Sequence, residues 1–252
     1  MSSLFSGMIP NLLKNKESPL FSSINNISSA YFVIKRVIDF VLSLLALIFL
    51  IPFFIIIGIA IKLNTPGPIL FKQKRVGSRR IRRDGKYEWE PTIFNCYKFR
   101  TMLPDVDTAL HKKYIEAYIK NDENGMAEIQ GEDTQVRKLI NDPRITRVGH
   151  VLRKTSLDEL PQFWNIFRGD MSLIGPRPAI PYEVKHYRPW HQKRFQGKPG
   201  LTGLWQVTAR CSSDFDEMAR LDIEYLENQS NMLDLIILLK TPFIVLSGKG
   251  AH

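Results

Sequence analysis

The stretch FVLSLLALIFLIPFFIIIGIAI, from Phe40 to Ile61, decides how this protein is built. It holds 22 residues without a charged side chain. At ~1.5 Å per residue, a straight helix of this length reaches roughly 33 Å, about the hydrocarbon thickness of a bilayer. A secretory signal peptide is disfavoured, because the chain continues into KLNTPGPILFKQKR with no small-residue cleavage pattern. The sequence therefore predicts a helix that inserts into a membrane.

The way this helix inserts is left open by the residues themselves. Pro52 lies near its middle and lacks the N–H that a continuous helix would use, so a kink is expected there. Lys35 and Arg36 precede the run, and Lys62 and Lys72 follow it. Basic residues normally mark the cytoplasmic flank, and here both flanks are basic. A straight span would put one flank on the wrong side, whereas a helix bent at the proline would return both to the same side.

Composition and charge limit the classes of partner that this protein is expected to bind. The chain has 252 residues, 44% of them hydrophobic and 24% charged, which excludes a disordered or fibrous protein. The net charge is +10, and residues 62–102 contribute most of it with eleven basic against three acidic side chains. Anionic lipid headgroups would attract this block, whereas no nucleic-acid-binding motif is present, so we predict no nucleic-acid partner. The two cysteines, Cys96 and Cys211, favour a reducing compartment.

The remaining patterns predict an α+β fold. Strands are expected over Ile69–Val76 and Ile93–Met102, as a hairpin or two nearby strands joined by the basic stretch RRIRRDGKYEWEP. The other predicted elements are helices over Asp105–Lys120, Leu157–Phe167, Phe215–Asn228 and Met232–Lys240, the last interrupted by Pro242, and an acidic loop over Asn121–Thr134. We divide the chain into a flexible tail (1–33), the membrane helix (34–63) and a following domain (64–252) that contains an acidic segment (103–141).

Two later stretches are unusually apolar. One holds Phe163, Trp164, Ile166 and Phe167, and the other runs from Leu233 to Leu246. Each is read either as core or as an amphipathic helix at the membrane interface. A homodimer contact is a further alternative for both stretches.

The segment DPRITRVGHVLRKTSLDELPQ, from Asp142 to Gln162, carries the candidate chemistry. It places adjacent carboxylates, Asp158 and Glu159, at a predicted helix start, with several basic residues upstream. One interpretation is a capping box, in which Ser156 and Glu159 satisfy each other's backbone N–H groups. The other is functional, since an aspartate near cations stays ionised and can bind a divalent cation or attack phosphorus. The two interpretations are compatible.

Other cations stand in patterns suited to phosphate. In NCYKFRTM (Asn95–Met102), Lys98 and Arg100 would project from one face of a strand and could grip a pyrophosphate, although a solvated strand face has the same pattern. In GPRP (Gly175–Pro178), Arg177 is held between two prolines, which suits bidentate phosphate binding.

In their order, KRVIDF, KFRTM, DPRITRVGHVLRKTSLDELPQ, GDMSLIGPRP, PGLTGLWQV and ARLDIEYLEN resemble the bacterial sugar transferases, the monotopic phosphoglycosyl transferases. The resemblance implies Asp158 as a nucleophile, Glu159 as its acid/base partner, and Mg²⁺ bound at Asp158. Lys98, Arg177 and Asp222 fall on family positions associated with activity, Asp222 in a supporting role. We assign Lys98, Arg100, Arg153 and Arg177 to the substrate phosphates.

The resemblance also implies a reaction and a place. Such enzymes move a sugar-1-phosphate from a UDP-sugar to undecaprenyl phosphate on the cytoplasmic face of the bacterial inner membrane and release UMP. This is the first membrane step of exopolysaccharide, capsule, O-antigen or glycan assembly. It further implies a re-entrant helix broken at Pro52, although Ile51 replaces the serine that family members often carry before this proline. The chain resembles the catalytic unit alone, which implies that residues 64–252 are the cytoplasmic catalytic domain and that the acidic segment 103–141 is variable, and we assign this segment no role. We favour glucose or galactose over N-acetylated sugars. The rival hypothesis is a non-catalytic adaptor on membrane lipids.

Overall fold

The computed structural model describes residues 27–103, 109–130, 142, 144–208 and 214–246, and its mixture of helices and small sheets confirms the α+β class. Much of the predicted tail and acidic segment lies outside these residues, as does Cys211. Two helices begin this part of the chain, α1 (Ser29–Phe49) and α2 (Ile51–Asn64).

The long apolar stretch forms two helices that meet at an angle. They are bent by 58° at the break, where Pro52 lies at the start of α2. Neither helix alone, nor any other single helix in the described ranges, is long and apolar enough to cross a membrane. The bent pair reaches that length and hydropathy only together. Many of its apolar side chains are exposed, including Phe49 (74%) and Ile56 (64%).

Polar groups on α1 attach this helix to the rest of the protein. Asp39, only 3% exposed, accepts hydrogen bonds from the hydroxyl of Ser172 (3.1 Å) and the backbone N–H of Leu173 (2.8 Å). Lys35 forms an ion pair with Asp234 at 2.7 Å. In addition, the guanidinium of Arg36 donates to the carbonyls of Ile166 and Phe167, each at 2.7 Å. The motif KRVIDF therefore fixes the apolar helix against the domain that follows.

A long antiparallel hairpin follows the bent helix. Strand β1 (Leu70–Arg83) pairs with β2 (Lys86–Phe99) in a register that places Phe71 opposite Lys98. The turn consists of Asp84 and Gly85, with φ of 50° and 79°. Such a pair of left-handed residues fits a tight hairpin turn. The hairpin prediction is confirmed, but the basic stretch between the expected strands is itself strand, because Asp-Gly alone turns the chain.

The rest of the domain is mainly helical. Its elements are α3 (Ala109–Lys120), α4 (Glu123–Gln130), α5 (Arg147–Lys154), a 3₁₀ turn (Leu157–Glu159), α6 (Gln162–Arg168), β3 (Ser172–Ile174), 3₁₀ helices (Val184–His186 and Pro189–Phe195), β4 (Gly200–Thr202), α7 (Leu204–Thr208), α8 (Phe215–Glu227) and α9 (Asn231–Leu246). Strands β3 and β4 pair in parallel.

Three of these elements correct the predictions. The expected acidic loop contains α4, whose apolar Met126 is buried. The single helix expected from residue 157 is instead a 3₁₀ turn and the separate helix α6, since Pro161 stands between them. Helix α9 continues through Pro242, so the missing N–H removes one hydrogen bond without ending the helix.

Two apolar clusters hold the domain together. One contains Val76, Ile119, Trp205 and Phe215, and joins the hairpin to α3, α7 and α8. The other joins β2, α6, α8 and α9, and it buries Cys96, Ile166, Met171, Leu173, Ile174, Tyr225, Leu226 and Ile237. The two unusually apolar stretches each lie partly in this second core.

Both stretches also keep an exposed side. In α6, Ile166 is buried while Trp164 is exposed. In α9, Ile237 is buried while Leu239 and Phe243 are exposed. Core packing and an open apolar face thus occur in the same helices.

Candidate active site

The adjacent carboxylates lie in a short turn rather than at the start of a long helix. Asp158 and Glu159 belong to the 3₁₀ turn, and Ser156 before it has a left-handed backbone with φ of 57°. The Ser156 side chain makes no capping hydrogen bond to this turn. An N-cap requires an extended backbone to aim its hydroxyl at the following N–H groups. The predicted capping box is therefore wrong, and the carboxylate of Glu159 is directed elsewhere.

Lys98 lies beside both carboxylates. Its Nζ donates to Oε1 of Glu159 at 2.5 Å and stands 3.8 Å from Oδ2 of Asp158. Strand β2 delivers this lysine to the turn, since Lys98 precedes Phe99 at the end of the strand. All three side chains are mostly shielded from solvent. The strand and the turn are far apart in sequence, yet together they form one cluster of charged side chains.

The two carboxylates differ in their acidity. Burial acts to raise the pKa of Glu159, but the charges of Lys98 and Arg177 and the hydrogen bond from Lys98 outweigh it and lower the pKa to about 2. For Asp158, burial raises the pKa above its usual value; Glu159 adds to this, and Lys98 opposes it. Glu159 therefore carries the firmly held charge, while the anionic form of Asp158 is less stabilised.

Arg177 faces the same group from the GPRP loop. Its side chain is exposed, and among the described residues its guanidinium has no hydrogen-bond partner. The backbone around it is firmly held. Arg194 donates to the carbonyl of Arg177 at 3.2 Å, and Arg75 donates to that of Pro178 at 2.9 Å. A cation with fixed backbone and free donors is suited to bind an incoming anion.

Asp222 acts behind this loop. It is 1% exposed and forms an ion pair with Arg194 at 2.6 Å. Arg194 also donates to the carbonyl of Arg177, and a hydrogen bond from the backbone N–H of Arg177 acts to lower the pKa of Asp222 against the effect of burial. Asp222 therefore contacts Arg194 and the loop that carries Arg177.

Arg75 was missed by sequence reasoning. It is a buried residue of β1, and the hairpin register puts it on the same face as Lys98. Besides the carbonyl of Pro178, it donates to the side chain of Gln73 at 2.6 Å. The alternation of side chains along a strand would have placed Arg75 on the face of Lys98, but only with the register of the hairpin known.

Two predicted phosphate ligands have different surroundings. Arg100 is buried and donates to the carbonyls of Pro66 (2.6 Å) and Thr65 (2.7 Å), at the end of α2. Its hydrogen bonds are directed at the end of this helix, while the residue itself lines the same cavity as Asp158 and Glu159. Arg153, on α5, lines the same cavity as Asp158. Burial lowers the pKa of Arg153, and the charge of Asp158 acts against this.

A cavity of about 930 Å³ joins these groups. Lys98, Asp158, Glu159 and Arg177 line it, together with apolar side chains such as Phe163 and Leu238. Within the described ranges, no three His, Cys, Asp or Glu side chains gather in a way that could hold a metal ion. The adjacent carboxylates could still supply two oxygen ligands, which is what Mg²⁺ takes from a protein when a phosphate completes its shell.

A buried carboxylate beside a lysine and an arginine with free donors is an arrangement suited to phosphate esters. Comparison with known families agrees with this: the model of the family described as bacterial sugar transferase matches residues 30–248. The chain therefore belongs to the bacterial sugar transferase family.

Curated relatives share most of the chain. A UDP-galactose-lipid carrier transferase of Erwinia amylovora is 40% identical over 87% of this chain and 42% of its own length. The exopolysaccharide production protein ExoY of Sinorhizobium fredii is 37% identical over 86% of this chain and 88% of its own. A UDP-glucose:undecaprenyl-phosphate glucose-1-phosphate transferase of Escherichia coli is 35% identical over 87% and 42%. The chain thus spans about two fifths of the first and third relatives.

Proposed function

We propose that this protein transfers a sugar-1-phosphate from a UDP-sugar to undecaprenyl phosphate and releases UMP, as the first membrane step in assembling an exopolysaccharide or related glycan. The observation that carries the proposal is the buried carboxylate of Asp158, with Lys98 3.8 Å away and the free guanidinium of Arg177 in the same cavity. The names of the relatives support the class of donor and acceptor.

The proposed reaction has two displacements at one phosphorus. First, an oxygen of the Asp158 carboxylate forms a bond to the sugar-bearing phosphorus, and the pyrophosphate P–O bond breaks, so that UMP leaves with the electron pair. The result is an acyl phosphate, a mixed anhydride between the aspartate carboxyl group and the sugar phosphate. Next, an oxygen of undecaprenyl phosphate attacks the same phosphorus and the carboxylate leaves. Lys98 and Arg177 would neutralise charge on the non-bridging oxygens in both steps.

Glu159 has a different task in this scheme from the acid/base role that the family resemblance implies. With a pKa of about 2 it stays ionised at neutral pH and is a poor proton donor or acceptor. Its hydrogen bond from Lys98 fixes that lysine between the two carboxylates. We therefore assign Glu159 to positioning Lys98.

Mg²⁺ is part of the proposal, and the carboxylates of Asp158 and Glu159 would hold it. When bound, the ion would neutralise phosphate charge and favour departure of UMP. Lys98 partly offsets the repulsion between the neighbouring carboxylates and so favours the anionic form of both.

We further propose that α1 and α2 form a re-entrant membrane helix, with the catalytic domain on the cytoplasmic face of the inner membrane. The 58° bend and the exposed apolar residues of both helices support this. Lys35 and Arg36 before the break and Lys62 after it would all lie on the positively charged, cytoplasmic side. The site would then be near the lipid phosphate.

Labelling from each side of the membrane tests this topology. Ala30 and Lys62 are exposed residues at opposite ends of the bent pair, and each is replaced by Cys in a Cys211→Ser background, where Cys96 is buried. Both new thiols are expected to react with an impermeant maleimide only after inner-membrane vesicles are turned cytoplasmic side out. Labelling of the two positions from opposite sides would refute the re-entrant arrangement.

A donor panel tests the activity. The purified protein is given UDP-glucose, UDP-galactose, UDP-N-acetylglucosamine and UDP-N-acetylgalactosamine, with undecaprenyl phosphate and Mg²⁺. We expect UMP and a lipid-linked product, fastest with a hexose, since relatives are named for galactose and glucose. A relative of Aeromonas hydrophila named for N-acetylgalactosamine is 35% identical, so faster use of an N-acetylated donor is the competing outcome. Absence of turnover with every donor, but binding to anionic vesicles, would favour the adaptor hypothesis.

A further inference from the structure

One wall of the cavity is formed by α3, which lies in the acidic segment 103–141. His111, Tyr114, Ile115 and Tyr118 of this helix line the cavity that holds Asp158. Residues three and four apart lie on one face of a helix, so these side chains form a continuous strip. The strip belongs to the same space as the reactive carboxylate.

This wall is fixed by the core. Ile119 is buried in the cluster that contains Trp205 and Phe215, and Tyr118 packs edge-on against the ring of Phe215 at 5.8 Å. Tyr114 is buried as well. Helix α3 is thus a fixed wall of the cavity, because contacts with the core hold its side chains in place.

His111 is joined to the loop that carries Arg177. Its Nδ1 lies 2.9 Å from the hydroxyl of Tyr182, which follows the GPRP sequence. The other ring nitrogen, Nε2, has no hydrogen-bond partner in the part of the chain that the structure describes. Both side chains line the cavity, so the pair offers it free hydrogen-bonding capacity.

The groups around this pair keep it uncharged. Burial lowers the pKa of His111, and the nearby charge of Arg144 lowers it further, while Asp142 acts in the opposite direction. Burial also raises the pKa of Tyr182, and Glu183 adds to this. A neutral imidazole and a neutral phenol suit hydroxyl groups better than phosphates, which the cations elsewhere in the cavity would take.

We propose that His111 and Tyr182 contact the sugar ring of the donor and determine which sugar is accepted. The inference rests on the proposed function, and it adds a selectivity site to it. Sugars that differ in one hydroxyl configuration or an acetamido group would make or lose hydrogen bonds to this pair. A site built to bind a hydroxyl discriminates strongly against donors that place it elsewhere.

The test compares ratios of kcat/KM across the donor panel. His111→Ala and Tyr182→Phe are each expected to change the ratio between the best and second-best UDP-sugar by about threefold to tenfold, as for the loss of one neutral hydrogen bond. Lys112→Ala, an exposed position on the same helix, is the matched control and should leave the ratio unchanged. Thermal unfolding of each variant checks that the fold is kept.

The outcomes separate the two proposals. If the wild-type protein turns over no UDP-sugar, the proposed function fails. If it is active and both folded variants keep the wild-type donor ratios, only the selectivity site is overturned. An equal loss with all UDP-sugars, together with altered preference between UDP- and CDP-linked forms of one sugar, would assign the pair to the base and also overturn the proposal.

Discussion

Asp158→Asn is expected to abolish sugar-phosphate transfer, with a loss of about 10³-fold or more, because the amide cannot form the bond to phosphorus. The substitution keeps the shape of the side chain in a buried position. UMP release and formation of lipid-linked product should fall together. Glu224→Gln removes an exposed carboxylate from α8 and serves as the control, with activity close to wild type.

A covalent readout separates the nucleophile from a mere ligand. Incubated with radiolabelled donor in the absence of undecaprenyl phosphate, the wild-type protein should retain label after denaturation, and Asp158→Asn should not. Burial raises the pKa of Asp158, so its ionised form opposes folding and the neutral variant should unfold at the same or a higher temperature. Normal transfer and labelling by a folded Asp158→Asn protein would remove Asp158 from the mechanism.

Sequence patterns predicted the parts of this fold that depend on local chemistry. The break at Pro52 follows from a missing N–H, and the hairpin follows from two strand-like runs around Asp84 and Gly85. The bounds of α8 also agree closely with its apolar periodicity. In each case, residues near one another in sequence carry the information.

Sequence patterns predicted which residues line the site better than they predicted how those residues contact one another. Lys98, Asp158, Glu159 and Arg177 do line one cavity. However, the left-handed backbone at Ser156 replaced the expected capping box, because the lysine from another element offers Glu159 a stronger partner than a backbone N–H. No local sequence pattern predicts a contact between residues so far apart in the chain.

The arginines show the same limit. Arg100 follows Lys98 by two residues, as the phosphate-gripping pattern requires, yet its donors are directed at the carbonyls of Thr65 and Pro66. Arg75 has no motif of its own to mark it, yet it supports the loop of Arg177. Which cation meets substrate and which braces the backbone depends on tertiary contacts across the hairpin.

Lys98→Met is expected to lower turnover by about 10²- to 10³-fold, the usual cost of losing one charged group that stabilises a transition state. The variant removes the cation that lies near both carboxylates and leaves two like charges side by side. Lys86→Met, at the exposed tip of the hairpin, removes the same charge at a distance and is the matched control. Lys98→Arg should restore part of the activity, since it returns the charge with a different geometry.

The pH profile distinguishes this electrostatic role from a structural one. Lys98 lowers the pKa of Asp158 and of Glu159, so without it both values rise. The nucleophile must be ionised, and a higher pKa means that it becomes protonated at a higher pH. The acid limb of the pH profile of kcat/KM should therefore shift to higher pH in Lys98→Met, while that of Lys86→Met stays at the wild-type pH. A uniform loss of activity at every pH in Lys98→Met would mean that Lys98 only shapes the site. In that case the effect of the Lys98 charge on the pKa of Asp158 would not explain the reactivity of the aspartate.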